Sequence, residues 1–535
     1  MYVEDKESKK SLYLLILIIS ITFLCYLKVI RYDIINFDDP NYVFRNTHLF
    51  QFSPKNIRWA LTATDPDYWH PLVWISYMLD FQLYGDSAWG FHLSNLIYHV
   101  ISACLLFLFL KRATKSPFKS AIISLIFAIH PLHVESVAWI SERKDVLSGI
   151  FFHLGLILYL RYVKSQDLLN YTYLLLCLTL ALMTKPSTII FPIILMLLDI
   201  WPFKRLKKPH FNKILYEKIP MIILSMLSIF LVIYLKRDAE IVIKTNIIPL
   251  SLRVKNALIS YIIYISKAII PCDLSIFYPY PKDIALLPTL ISLLILLLIS
   301  FGVLMLIDRY SYLFTGWMWF IIGILPASGI FQWGLWPSMA DRFTYIPLTG
   351  LSIMMVWGIH EILERFKVPD RVFVPLVISY LSYLIYVCTI QIGFWKDTKT
   401  LFMHAIEVNP DNYVAHFMIA MQYGAEGDTI EAMKHYNKAV LINPSYIAFM
   451  HNRVGYELMQ VPMISEAIAQ FRAAITLCPE YAVAMNNLAV ALARQHRFRE
   501  AIEYLRKAIK LDPTLVEAKR NILNIKREME RLSYR

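Results

Sequence analysis

The solvent this chain is built for changes partway along it, and no single globular core suits both parts. Up to about Gly393, apolar runs follow one another, separated by short charged loops. A membrane span needs about 20 mostly apolar residues, fewer where protein shelters it. From Trp395 to Arg535 the pattern becomes one of short amphipathic helices recurring at a fixed period. Composition fits the first pattern: 57% hydrophobic and 17% charged is too apolar for a soluble chain of 535 residues. The expected fold is all-α, a polytopic helical bundle in residues 1–394 followed by a helical solenoid in 395–535.

Eleven spans are expected, near 11–31, 92–111, 118–131, 146–163, 168–184, 187–202, 219–236, 287–307, 312–327, 345–362 and 372–392. A further apolar segment, 257–271, is interrupted by Lys267 and followed by Pro271. If it does not cross, Lys9-Lys10, Lys111-Arg112-Lys115-Lys119, Arg161-Lys164, Lys204-Arg205-Lys207-Lys208, Asp308-Arg309 and Arg365-Lys367-Arg371 share one side. By the positive-inside rule that side is the cytoplasm, which accounts for much of the +13 charge without nucleic-acid binding. The loops with Asp38-Asp39, His130-Pro131-Leu132-His133, Phe277-Tyr278-Pro279-Tyr280 and Asp341-Arg342 then share the opposite face, together with the repeats. The apolar run from Leu12 to Leu27 shows no small-residue cleavage site and reads as a retained first span. Four of the six cysteines lie in apolar spans and there is no CxxC, so they say little about redox compartment.

In the second part, Asn409-Pro410, Asn443-Pro444, Cys478-Pro479 and Asp512-Pro513 recur at spacings of 34, 35 and 34. That is the period of tetratricopeptide repeats. Ala432, Tyr436 and Ala439, then Ala467, Phe471 and Ala474, then Ala501, Leu505 and Ala508 hold matching inner positions before each proline. About three repeats are expected, with a leading helix at 396–408 and a polar closing helix at 514–531 of the kind a solenoid requires.

Few motifs carry chemistry, and each has a plain alternative. Asp38-Asp39, in Phe37-Asp38-Asp39-Pro40-Asn41-Tyr42, is either a solvated turn or a carboxylate base or metal ligand beside the membrane. His130, His133 and Glu135 have a spacing that could bind a metal, but Pro131 bends the chain between them. Arg143 and Lys144, in Glu142-Arg143-Lys144-Asp145, could neutralise a phosphate or form a salt-bridged cap. Lys185 sits in a tight hairpin between apolar runs. An ionisable residue there is a functional candidate by default, unless it reaches out to the interface. Arg342, in Asp341-Arg342-Phe343-Thr344-Tyr345, has the same two readings. Of His70, His92 and His99, at most one is expected to have a role. There is no phosphate-binding lysine loop, dinucleotide glycine fingerprint or serine nucleophile elbow.

Taken in order, these residues resemble the transmembrane and tetratricopeptide-repeat protein O-mannosyltransferases and their prokaryotic relatives, which have a GT-C glycosyltransferase fold. The resemblance covers nearly the whole chain. It rests on Asp38-Asp39 with Asn46, Pro71-Leu72, Phe91-His92 with Asn95, and His130-Pro131 with His133. Arg143 and Asp145, Lys185, then Arg342, Tyr345 and Pro347, and finally the repeats complete it. Two positions depart from the family: His70 stands where Arg is common, and Pro186 where an acidic residue is usual. These departures bear on whether the donor is mannose on dolichyl phosphate.

The resemblance implies sugar transfer, with inversion, from a polyprenyl-phosphate donor to a protein Ser or Thr hydroxyl on the non-cytoplasmic face. Asp38 or Asp39 would be the base. Arg143, Lys144, Lys185 or Arg342 would hold the donor phosphate. His70, His92, His130, His133, Glu135, Asp145 and Tyr345 are further site candidates. No cofactor is required on this reading, though a divalent metal stays open. The expected partners are the lipid-linked sugar, membrane lipid and an acceptor protein in the repeat groove. Low Gly and Ala with high Ile and Lys suggests a prokaryotic plasma membrane. The rival readings are a lipid-linked polysaccharide ligase or polymerase, and a non-enzymatic repeat scaffold.

Overall fold

The computed structural model describes residues 2–63, 69–206, 211–236, 248–330, 337–461 and 463–533. Among them every regular element is a helix and none is a strand. The chain forms two compact units. The first takes in Met1–Asp238, Leu250–Phe331 and Pro337–Val408; the described part of the second is essentially Asn409–Arg535. Lys207 and Lys208, of the expected basic loop, lie outside the described residues.

In the first unit each expected span coincides with a helix. Among the described residues six helices are long and apolar enough to cross a bilayer: Lys9–Arg31, Ala88–Thr114, Ile140–Ser165, Asn212–Tyr234, Leu286–Met305 and Arg371–Phe394. Pro117–Ile129 and Pro131–Ala138 make a seventh if the pair, bent by 52°, counts as one span. The bend falls at His130-Pro131, where proline lacks the N–H that would continue the helix. Leu168–Leu182, Pro186–Ile200 and Ser311–Ala327 are apolar but shorter. Leu348–Arg365 is also helical, yet Glu361, Glu364 and Arg365 make its end polar. Leu250–Ile269, the ambiguous segment, is a helix with Arg253, Lys255 and Lys267 along it. Lys267 turns inward and donates to the carbonyls of Cys272 (2.7 Å) and Asp273 (2.8 Å).

Ile140–Ser165 is the central helix. Its apolar stretch is 72% buried inside the protein, against 17% for Arg371–Phe394 and 22% for Leu286–Met305. The outer helices present their leucines outward, as lipid requires, and the central helix packs against protein. Gly149 makes one close approach possible. A Cβ there would lie 2.7 Å from the Tyr345 ring and 2.8 Å from Ser102 Oγ.

The second unit is a row of paired helices: Tyr413–Glu426 with Thr429–Ile442, Pro444–Leu458 with Ile464–Leu477, Ala482–Arg494 with Phe498–Leu511, then Val516–Ser533. The Asn443-Pro444 step shows why the motif recurs. Asn443 caps the helix by accepting from Tyr446 N, and Pro444 fills the first position, where a missing N–H costs nothing. Ala467, Ala474, Ala501 and Ala508 are fully buried, as are Phe471 and Leu505 beside them. Gly455 admits the Phe471 ring at a distance no larger residue would allow.

Candidate functional site

The Asp38-Asp39 loop is held by its second carboxylate. Asp39 is fully buried and accepts from Ile35 N (3.0 Å), Ser141 N (2.9 Å) and Ser141 Oγ (2.5 Å). Burial pushes its carboxyl up to about 7, against the pull of those donors. Asp38, next to it, is only half-buried. Of the two, Asp38 is the more exposed and Asp39 ties the loop to the start of the central helix. Aromatic contacts reinforce the tie: Phe37 packs on Trp139 and Phe402 at ring distances of 5.8 and 5.7 Å. Asn36 N donates to Thr398 Oγ1 at 2.8 Å.

Beyond Ser141 lie three cations, each set on a buried carboxylate. Lys144 pairs with Glu142 at 2.9 Å. Lys185 pairs with Asp145, which also accepts from Ser136 Oγ at 2.9 Å. Arg342 pairs with Glu135, approaches Glu142 at 3.3 Å, and directs its backbone N–H to Glu135 Oε2 at 2.9 Å. The side chains of Lys144, Lys185 and Arg342 are 21%, 19% and 13% exposed, whereas Glu135, Glu142 and Asp145 are at most 3% exposed. The cations therefore form the outer layer and the carboxylates the inner one. Lys144 also lies 5.9 Å from the ring of Tyr42, which links the cations to the aspartate loop. His70 is buried beside them. Burial first, and then the charge of Lys144, hold its imidazole down at about 3, so it is neutral at physiological pH.

The structure thus brings together Asp38, Asp39, His70, Glu135, Lys144, Asp145, Lys185 and Arg342. It turns other candidates elsewhere. Arg143 does not join the cations. It is fully buried against Asp80 (2.5 Å) and donates to Asn95 Oδ1 (2.8 Å) and the Phe91 carbonyl (2.9 Å). The Tyr77 ring lies 4.3 Å from it. Successive residues point to different sides of a helix, so Arg143 and Lys144 separate. His130 and His133 do not form a metal set with Glu135. The ring nitrogens of His130 meet the Ala268 carbonyl and Leu132 N, and those of His133 meet the carbonyls of Phe127 and Thr344. Glu135 is committed to Arg342. Among the described residues no three His, Cys, Asp or Glu stand close enough to hold a metal ion. Tyr345 bonds His99 Nδ1 at 2.8 Å and packs the bundle. His92 is buried near the head of its span.

Sequence reasoning missed Ser141, whose hydroxyl reaches Asp39, and gave Glu142 no role although it stands between Lys144 and Arg342. It also left Asp341 without one. Asp341 accepts from Tyr278 OH at 2.9 and 3.0 Å, and burial raises its carboxyl to about 6. Only the residue next door signalled these groups.

Family models of the tetratricopeptide repeat match residues 413–446 and 482–515. A protein O-mannosyl-transferase of Caenorhabditis elegans, F38B6.6, is 24% identical over 83% of this chain and 64% of its own length. Protein O-mannosyl-transferase TMTC3 is 23% identical over 94% of this chain in mouse and in human, covering 60% and 61% of those proteins. The chain spans about three-fifths of the length of these curated relatives. They are animal proteins and lend no support to a prokaryotic source. A chain of the Cut9–Hcn1 assembly aligns at 13% identity with a TM-score of 0.20, too low to bear on the fold. The chain is a membrane-helical protein with tetratricopeptide repeats, and over most of its length it is similar to proteins named as transmembrane and tetratricopeptide-repeat O-mannosyl-transferases.

Proposed function

We propose that the protein is a GT-C-type glycosyltransferase. It moves a mannose-like sugar from a polyprenyl-phosphate carrier to Ser or Thr hydroxyls of a protein, at the non-cytoplasmic face. The observation that carries this reading is the layered cluster: three partly exposed cations backed by buried carboxylates, beside a loop that presents Asp38. The names of the relatives support it.

In this mechanism Asp38 takes the proton from the acceptor hydroxyl. The acceptor oxygen attacks the anomeric carbon from the face opposite the lipid phosphate, and the bond from that carbon to the phosphate oxygen breaks. The phosphate leaves on its lipid with one more negative charge. Lys144, Lys185 and Arg342 meet that charge where water is scarce and a fixed cation is worth most. The Glu142, Asp145 and Glu135 carboxylates keep the cations aimed before the donor arrives. Asp39 fixes the loop through Ser141. The repeats hold the acceptor chain.

The test uses purified full-length protein, polyprenyl-phosphate mannose and a Ser/Thr-containing peptide, with the product read by mass spectrometry. Transfer should occur and should fall about a hundredfold to ten-thousandfold in Asp38→Asn, the usual range for loss of a general base. Undiminished transfer in Asp38→Asn removes the assigned base. Absence of transfer from every polyprenyl-phosphate sugar tried removes the activity.

A further inference from the structure

The Phe277-Tyr278-Pro279-Tyr280 segment has no part in the chemistry above, yet it is tied to the strip of chain that carries Arg342. Ser338 N and Ser338 Oγ both donate to the Tyr278 carbonyl, at 2.8 and 3.0 Å. Asn256 Nδ2 donates to the Ser338 carbonyl at 2.7 Å. Tyr264 OH bridges both backbone groups of Ala340, donating to its carbonyl at 3.1 Å and accepting from its N–H at 3.0 Å. The Tyr278 hydroxyl accepts from Ser275 N at 2.8 Å and spans both oxygens of Asp341 at 2.9 and 3.0 Å. The Lys267 ammonium lies 5.3 Å from the Tyr278 ring. Arg342 follows directly, its own N–H fixed on Glu135.

We infer that Tyr278 is a positioning residue for Arg342: its hydroxyl, bonded to Asp341, sets the backbone from which the guanidinium reaches the cation cluster. The inference rests on the reading of Arg342 as a group that meets the leaving phosphate. The tether is needed because Arg342 holds its place with one buried carboxylate and a second at longer range, while a transition state demands tighter placement than binding does. A misplacement of about 1 Å costs on the order of a hundredfold in rate. Ser338 is secured through its N–H, carbonyl and hydroxyl, and Ala340 through both its backbone groups. Asp341 is secured through its side chain, so removing the Tyr278 hydroxyl takes away that tie, with its bonds to Ser275 N and the Asp273 carbonyl, and leaves those of Ser338 and Ala340 in place.

The experiment compares Tyr278→Phe, Asp341→Asn, Arg342→Lys and the double variant Tyr278→Phe/Arg342→Lys, using full-length protein, polyprenyl-phosphate mannose and a Ser/Thr peptide. Tyr278→Phe should lower kcat by about tenfold to a hundredfold, with peptide KM unchanged. Asp341→Asn keeps an oxygen for the hydroxyl and should retain most of the turnover. In the Arg342→Lys background, adding Tyr278→Phe should cost less than about twofold, because groups that act through one another are not additive. Full activity of Tyr278→Phe, or equal losses in both backgrounds, overturns the inference and leaves the assignment of Arg342 intact. If Tyr278→Phe does not fold, Asp341→Ala, which removes the same contact from the other side, should show the same drop in kcat, and full turnover there overturns the inference. Wild-type turnover of Arg342→Lys defeats the underlying role of Arg342 instead.

Discussion

Asp39 and Arg143 show how far a residue's neighbours decide its work. Asp39 is a carboxyl that burial has raised above its usual value to about 7. Its unfolded value is the ordinary one near 3.8, so the folded state binds the extra proton between roughly pH 4 and 7. Its contribution to stability is complete below the unfolded value and is lost as the pH rises through about 7. Ser141→Ala removes a donor that favours the anion, so the midpoint of that loss should move to higher pH. Melting curves of wild type and Ser141→Ala from pH 5 to 8.5 check this, and an unmoved profile counts against the contact. Arg143 carries a different expectation. Removing one partner of a buried ion pair costs about 3–5 kcal/mol, because the other charge is left unpaired. Arg143→Gln should therefore lower the folded yield and the thermal midpoint, while donor affinity in the surviving protein stays near wild type. A selective loss of donor affinity would return Arg143 to the phosphate site.

At the scale of elements, prolines and small residues set the places where helices start, bend and touch. Pro131 breaks the span that would otherwise carry His130 and Glu135 on one continuous helix, and the bend delivers Glu135 to Arg342. The hairpin between Leu168–Leu182 and Pro186–Ile200 turns Lys185 back onto Asp145 instead of out to the interface. In the repeats, a Cβ on Gly455 would sit 2.7 Å from Phe471 Cε1. Overfilling such a contact costs about 1–3 kcal/mol. Gly455→Ala should thus lower the unfolding temperature of the second unit and leave donor binding by the first unchanged, as followed by limited proteolysis and a donor-binding assay. Resistance to protease equal to wild type would show that Phe471 gives way freely.

At the scale of the whole molecule, the end of the membrane part matters. The helix Thr398–Val408 groups with the first unit. It supplies Thr398 and Phe402 to the Asp38-Asp39 loop, and His404 Nε2 meets the Leu274 carbonyl at 3.0 Å. A truncation after Val408 should still insert, bind the lipid donor and glycosylate short peptides, while modification of a whole protein acceptor collapses. Holding a weakly bound acceptor nearby is worth about a hundredfold or more. A truncation after Phe394 strips the loop of its support and should lose peptide transfer as well. Equal behaviour of the two truncations would show that the helix does not support the loop, and equal losses on peptide and protein would assign the repeats to folding. Cysteine labelling with an impermeant reagent at the exposed positions 41, 282 and 434 should find all three on the non-cytoplasmic side.

By itself the sequence determined the two solvents of the chain, the helices within each part, and the repeat register. These depend on local hydrophobic period and on proline and asparagine at helix starts, and such signals need no distant partner. It also marked most of the charged residues that now stand together, because an ionisable group between apolar runs is conspicuous wherever it points. Tertiary structure alone decided which of them converge. Arg143 and Lys144 are adjacent in sequence, yet one meets Asp80 inside the bundle and the other Glu142 at the cluster. Asp38 and Asp39 read alike, yet packing against Ser141 buries one fully and leaves the other half-buried. Ser141 and Tyr278 gave no signal, since a hydroxyl acquires its role only from the carboxylate that packing places beside it.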